Sequence, residues 1–147
     1  VAWTDDLLAG LAQRLAAAGA GVWRPDGTVF AAGETAIVTG GLPADPERAI
    51  ALAAYPVTDH PVLNDVTVGL QVRIRGTTDP RTSAGVADTV YGELHGLRGP
   101  GLQIGGIDVR LVARQSGTQL GPDQIGRDER TENYYIHAAR PTAGRLD

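Results

Sequence analysis

Between residues 66 and 75, apolar and polar side chains alternate without a break. Val66, Val68, Leu70, Val72 and Ile74 fall on one side, and Thr67, Gly69, Gln71, Arg73 and Arg75 on the other. A period of two marks a strand with one face in a core and the other in water or against a partner. The pattern predicts a central strand with Val68, Leu70 and Val72 packed against helices. Two further segments share it. In residues 107–115, Ile107, Val109, Leu111 and Ala113 oppose Asp108, Arg110 and Arg114. In residues 133–140, Tyr134, Ile136 and Ala138 oppose Tyr135 and His137, and Pro141 ends the run. The apolar runs 36–39 and 49–57 read as buried strands. The second is too short for a helix, and Pro56 would break one. Val22-Trp23-Arg24 and Thr28-Val29-Phe30 flank Pro25-Asp26-Gly27, which predicts a short hairpin across a turn.

Two segments carry the helical period. Leu7, Leu8, Leu11 and Leu15 form one stripe, with Thr4 placed as N-cap, Asp5 and Asp6 in the first turn, and Gly19 and Gly21 at the end. Val86, Val90, Leu94 and Leu97 form the other, opened by Asp79 as N-cap and Pro80 at the first helical position. Both stripes read as core packing. The order is helix, several strands, helix, two strands, which argues for an α+β fold: a mostly antiparallel sheet with two helices packed on one face. The 147 residues suit one domain, 1–147, with no internal repeat. A polar loop or arm is expected at 116–132 and a frayed tail at 141–147.

The residues that carry chemistry are scarce. The absence of cysteine removes disulfides, thiolate metal sites and a thiol nucleophile. His60, His95 and His137 fall in a loop, at a helix end and on a strand, without metal-ligand spacing. Neither serine, Ser83 or Ser116, stands in a Gly-x-Ser-x-Gly setting. The acids of residues 123–132 alternate with arginines and do not match a calcium loop. Gly99, Gly101, Gly105 and Gly106 follow a helix and precede a strand, the reverse of a dinucleotide fingerprint, so turns and bulges explain them. A phosphate loop needs a lysine, and all 13 basic residues are arginines. The net charge of −4 without a basic stripe argues against sequence-specific nucleic-acid binding. No stretch has the length of a membrane span, and Asp5 and Asp6 stand where a signal peptide would carry base. No catalytic residue, cofactor or metal is expected.

Two features remain. Residues 116–132 are too long and polar for an ordinary hairpin turn, so they are either an interaction arm or a disordered loop. Arg127, Asp128, Glu129 and Arg130 within them are candidates for pairing across a subunit boundary. The polar faces of the strands carry Arg73, Arg75, Arg110 and Arg114, which either face solvent or line an interface, where arginine is enriched.

A collinear set of short motifs runs through nearly the whole chain. It comprises Ala54-Tyr55-Pro56-Val57, Pro61-Val62-Leu63-Asn64, Val72-Arg73-Ile74-Arg75-Gly76, Asp79-Pro80-Arg81, Arg114-Gln115-Ser116-Gly117, Gly126-Arg127, Glu129-Arg130, Asn133-Tyr134-Tyr135-Ile136 and Arg140-Pro141. Together they resemble the small minor capsid proteins of actinobacterial tailed phages, which are similar to the tail terminators of long-tailed phages. The resemblance implies a structural virion protein, made in the host cytoplasm, without a cofactor. It implies an α+β subunit that assembles with itself into a six-fold ring on the tail tube protein and presents a surface to the head–tail connector protein. Another neck or head-completion role stays open. So does a small bacterial ligand-binding or enzymatic domain, which would need a concave pocket with convergent polar groups.

Overall fold

A computed structural model describes residues 2–144. In chain order the elements are α1 (Trp3–Ala17), β1 (Val22–Trp23), β2 (Thr35–Thr39), β3 (Arg48–Thr58), β4 (Asp65–Arg75), α2 (Pro80–Leu94), β5 (Leu97–Arg98), β6 (Gln103–Ile104), β7 (Ile107–Pro122) and β8 (Asp128–Ala139). The strands lie in the order β1-β2-β3-β4-β8-β7-β5, and β6 pairs with β7 off that path. The β1–β2 and β2–β3 pairs are parallel, and all the others are antiparallel. The class is α+β with a mostly antiparallel sheet.

The alternation in β4 sets the core. Val66, Val68, Leu70, Val72 and Ile74 are all buried, Leu70 completely. On one side they align with Ile50, Leu52 and Ala54 of β3, and on the other with Tyr134, Ile136 and Ala138 of β8. Leu7, Leu8, Leu11 and Leu15 of α1 and Ala87, Val90 and Leu94 of α2 belong to the same core cluster. Helix α1 meets the strand layer without side chains at one point. A Cβ on Gly10 would lie 2.2 Å from the backbone N of Gly105, and one on Gly105 would lie 1.9 Å from the Asp6 carbonyl. Only glycines permit that approach, and Gly105 also has φ +60°.

Several expectations are corrected. The N-cap of α1 is Ala2, with no side-chain cap, and Thr4 already lies within the helix. Asp79 does cap α2, accepting from the Arg81 N–H at 3.0 Å. The hairpin expected across residues 22–30 does not form. Val22 and Trp23 pair sideways and parallel with Ala36 and Ile37. Arg24 then turns the chain away by a two-pronged bond to Glu34 at 2.9 and 3.1 Å, with Phe30 beneath its guanidinium.

The largest correction concerns residues 116–132, which are not a loop. Strand β7 continues to Pro122 and β8 begins at Asp128, paired from Ser116↔Asn133 to Pro122↔Asp128. The other edge of β8 pairs with β4 as far as Arg75↔Glu129. Backbone hydrogen bonding on both sides of β8 makes this region strand. Residues 115–120 of β7 lie exposed beyond the core, so burial imposes no apolar alternation on them. The real turn is 123–127, closed by the Asp123 carboxylate, which accepts the N–H groups of Ile125 and Arg127. Of the tail expected at 141–147, residues 141–144 lie beyond β8, and 145–147 fall outside the described residues.

Candidate assembly interface

The eight charged residues expected at an interface do not form one patch. Four of them (Arg73, Arg75, Arg127 and Glu129) line a cleft of about 520 Å³ on the face of β4 opposite the core. Gln71, Arg73 and Arg75 contribute from the strand. Gly40, Gly41 and Leu42 come from the β2–β3 connection, and Asp123 to Arg127 from the β7–β8 turn. Three arginines face two carboxylates, Asp123 and Glu129, so the cleft carries one net positive charge.

Arg75 sits on this face of β4 but is only 4% exposed, against the expectation of an available interface arginine. Its Nε donates to the Glu47 carbonyl at 2.8 Å, and its Nη2 to the carbonyls of Pro43 and Pro46 at 2.7 and 2.9 Å. A side chain at the end of a strand can reach over a neighbouring connection, and this one ties down the return from β2 to its parallel neighbour β3. Burial, with the nearby Arg127 adding to it, pushes the guanidinium pKa down, while Glu129, Asp123 and Asp45 oppose the shift. Arginine stays charged throughout.

Arg73 is half-exposed and pairs with Glu129 at 2.9 Å. Arg127 pairs with Asp123 at 2.8 Å and donates to the Ala44 carbonyl at 3.3 Å, so turn 123–127 and connection 40–47 share a tether. Burial pushes the Asp123 carboxyl up. The N–H and guanidinium of Arg127 and the N–H of Ile125 outweigh it, and the net result lies below the usual range.

Asp128 and Arg130 point elsewhere. The Asp128 carboxylate is 5% exposed and accepts from Ser83 Oγ at 2.5 Å and Gln119 Nε2 at 2.9 Å. The Ser83 bond and then the Gln119 bond hold its pKa below the ordinary carboxylate value, against burial. Arg130 Nε donates to the same Ser83 at 3.4 Å. Asp128 is thus a strut between β8 and α2, a role that Ser83 shares. Its signal in sequence was only a serine facing inward from a helix. Arg114 stacks on Tyr91 at 4.3 Å and pairs with Glu132 at 3.6 Å. Arg110 pairs with Asp65 near the opposite end of β4.

Each histidine has a local structural partner. His60 Nδ1 accepts the N–H groups of Val62 and Leu63. His95 Nδ1 accepts the Arg114 N–H and its ring stacks on Tyr91. His137 Nδ1 shares a hydrogen bond with Thr67 Oγ1 at 3.0 Å. Among the described residues no helix is long and apolar enough to cross a membrane.

Residues 14–140 match the model of the bacteriophage tail terminator protein family, and the chain belongs to that family. No curated protein matches it. The family is one of structural phage tail proteins, so this chain is a viral structural protein of the tail and not an enzyme.

Proposed function

As a member of the tail terminator family, this chain, we propose, forms a six-fold ring on the completed tail tube, stops its growth and offers the head–tail connector a docking surface. The observation that carries the reading is a family match running from within α1 to the end of β8, so it spans nearly the whole fold and not one local motif. The layout agrees with it. Both helices contribute to the core cluster, and we take the opposite face of β4, with the cleft, as the one offered to partners, with the 116–132 hairpin as a stiff arm towards a neighbouring subunit or the tube. The partners are other copies of this chain, the tail tube protein and the connector protein.

Complementation tests the reading. A phage lacking the gene is expected to make tails of uncontrolled length that fail to join heads, with both defects rescued by this chain. Tails of normal length bearing heads in its absence would overturn the role. Normal tail length without head joining would move the protein to another neck position.

A further inference from the structure

Among the described residues, and apart from Val29 and Tyr55, the large apolar side chains left exposed fall into two groups at opposite ends of the sheet. Val57 near the end of β3, with Val62 and Leu63 in the connection to β4, forms one, the tip, and Leu120 near the end of β7, with Ile125 in the turn to β8, forms the other. Strand β4 separates them. It spans 11 residues, about 33 Å at ~3.3 Å per residue. Asp65 opens it beside the tip, and Arg75 closes it beside the 123–127 turn, next to Glu129.

The two ends differ in shape. The tip is a projection whose backbone is tied in place, because Val62 and Leu63 donate their N–H groups to His60 Nδ1 at 3.1 and 3.0 Å. Val62 is 61% exposed and Leu63 49%. The other end is the cleft, bounded by Leu42 and Ile125 and floored by Arg73. At about 520 Å³ it is in the size range of sites that enclose a ligand or a small cluster of side chains. The charges also match. The cleft carries one net positive charge, and the tip brings Asp59, an exposed carboxylate. Projection and cleft on one chain, apolar at both contacts and opposite in charge, complement each other only between copies.

We propose that the 57–63 tip of one copy seats in the cleft of the next, with Val62 and Leu63 against Leu42 and Ile125 and Asp59 towards Arg73. This rests on the ring reading above and names the ring's contact. A contact between two different patches runs head to tail and closes into a ring when its rotation closes, or else extends as an open filament, whereas tip against tip would stop at a dimer.

The absence of cysteine makes the test direct. Val62→Cys and Ile125→Cys are made separately, with Val29→Cys, exposed on another part of the chain, as control. The variants are mixed in pairs, oxidised and run on non-reducing gels. The Val62→Cys plus Ile125→Cys mixture is expected to give at least fivefold more cross-linked dimer than Val62→Cys plus Val29→Cys. The double variant Val62→Cys, Ile125→Cys is expected to give a ladder of covalent multimers. Leu63→Asp is expected to shift the native mass to monomer with an unchanged circular dichroism spectrum, because the side chain supports no core. Dominant Val62→Cys self-pairing, or no excess over control in a chain that does oligomerise, would overturn this contact and leave the ring standing. A wild-type chain that stays monomeric both in solution and on tails would overturn both.

Discussion

Replacing Arg75 with Met separates an arginine that holds the fold from one free to serve an interface. The substitution keeps much of the aliphatic stem and removes the guanidinium. Three carbonyls then lose short charge-assisted bonds, at 2.8 Å (Glu47), 2.7 Å (Pro43) and 2.9 Å (Pro46). Each such bond is worth about 1.5–3 kcal/mol net. The losses do not simply add. Glu47 is exposed, so water replaces its lost donor, and the mutant no longer desolvates a charge. Pro46 is buried, and its carbonyl retains a penalty of about 1–3 kcal/mol. The sum is a destabilisation of about 2–4 kcal/mol, or a fall in Tm of roughly 4–16 °C for a domain of this size. Arg73→Met is the matched control two residues away on the same face of β4. It removes one pair from a side chain that is 48% exposed, at a cost of at most about 1 kcal/mol. Urea unfolding followed by tryptophan fluorescence measures both, since Trp3 and Trp23 sit against the core cluster. Hydrogen exchange at the Gly40 amide, which is bonded to the Leu52 carbonyl, reports on the tethered connection. Equal stabilities for the two variants, within about 0.5 kcal/mol of each other, would show that Arg75 does not hold residues 43–47.

Leu70→Ala opens a cavity at a fully buried position flanked by Ala54 and Tyr134 and should cost about 2–5 kcal/mol in urea unfolding; a cost below 1 kcal/mol would contradict the packing of β4. Gly10→Ala would gain about 1 kcal/mol of helix propensity on an open helix face, but here the new methyl meets backbone at 2.2 Å. The variant should therefore be less stable than wild type, and a raised Tm would refute the contact between α1 and Gly105. The Asp128 carboxyl has a folded pKa below its ordinary value, so its ionised form adds stability above about pH 4 that is lost as pH falls through the folded value. Asp128→Asn should flatten the acid limb of a stability–pH profile and leave its slope near neutrality unchanged. An unaltered acid limb would show that the bonds to Ser83 and Gln119 carry no linkage.

Where a regular segment touches the core, as in α1 and β4, its period was readable from the chain alone; in β7 a register shift between Val109 and Leu111 breaks the expected alternation, so Val112 is buried while Leu111 and Ala113 are only half-buried. Leu7, Leu11 and Leu15 on a helix, and Val66 to Ile74 on a strand, each had one face to bury, and burial selects apolar residues at the period of the backbone. The Asp79-Pro80 start of α2 was equally legible, because its cap bond is local. The same reasoning failed at residues 116–132, where backbone bonds on both sides of β8 make the strand and the exposed stretch of β7 has no core face to mark it. It failed again at Val22-Trp23, whose partner is a parallel strand more than ten residues on and not the segment across the nearest turn. The arginines show the divide most plainly. Arg73 and Arg75 are the same residue type two positions apart on one face of one strand. Only the course of residues 40–47 over the end of β4 leaves Arg73 half-exposed while burying Arg75 among carbonyls. Side-chain periodicity encodes which face is buried, but a contact between residues distant in the chain depends on where the backbone goes in between, and that is decided only when the sheet is assembled.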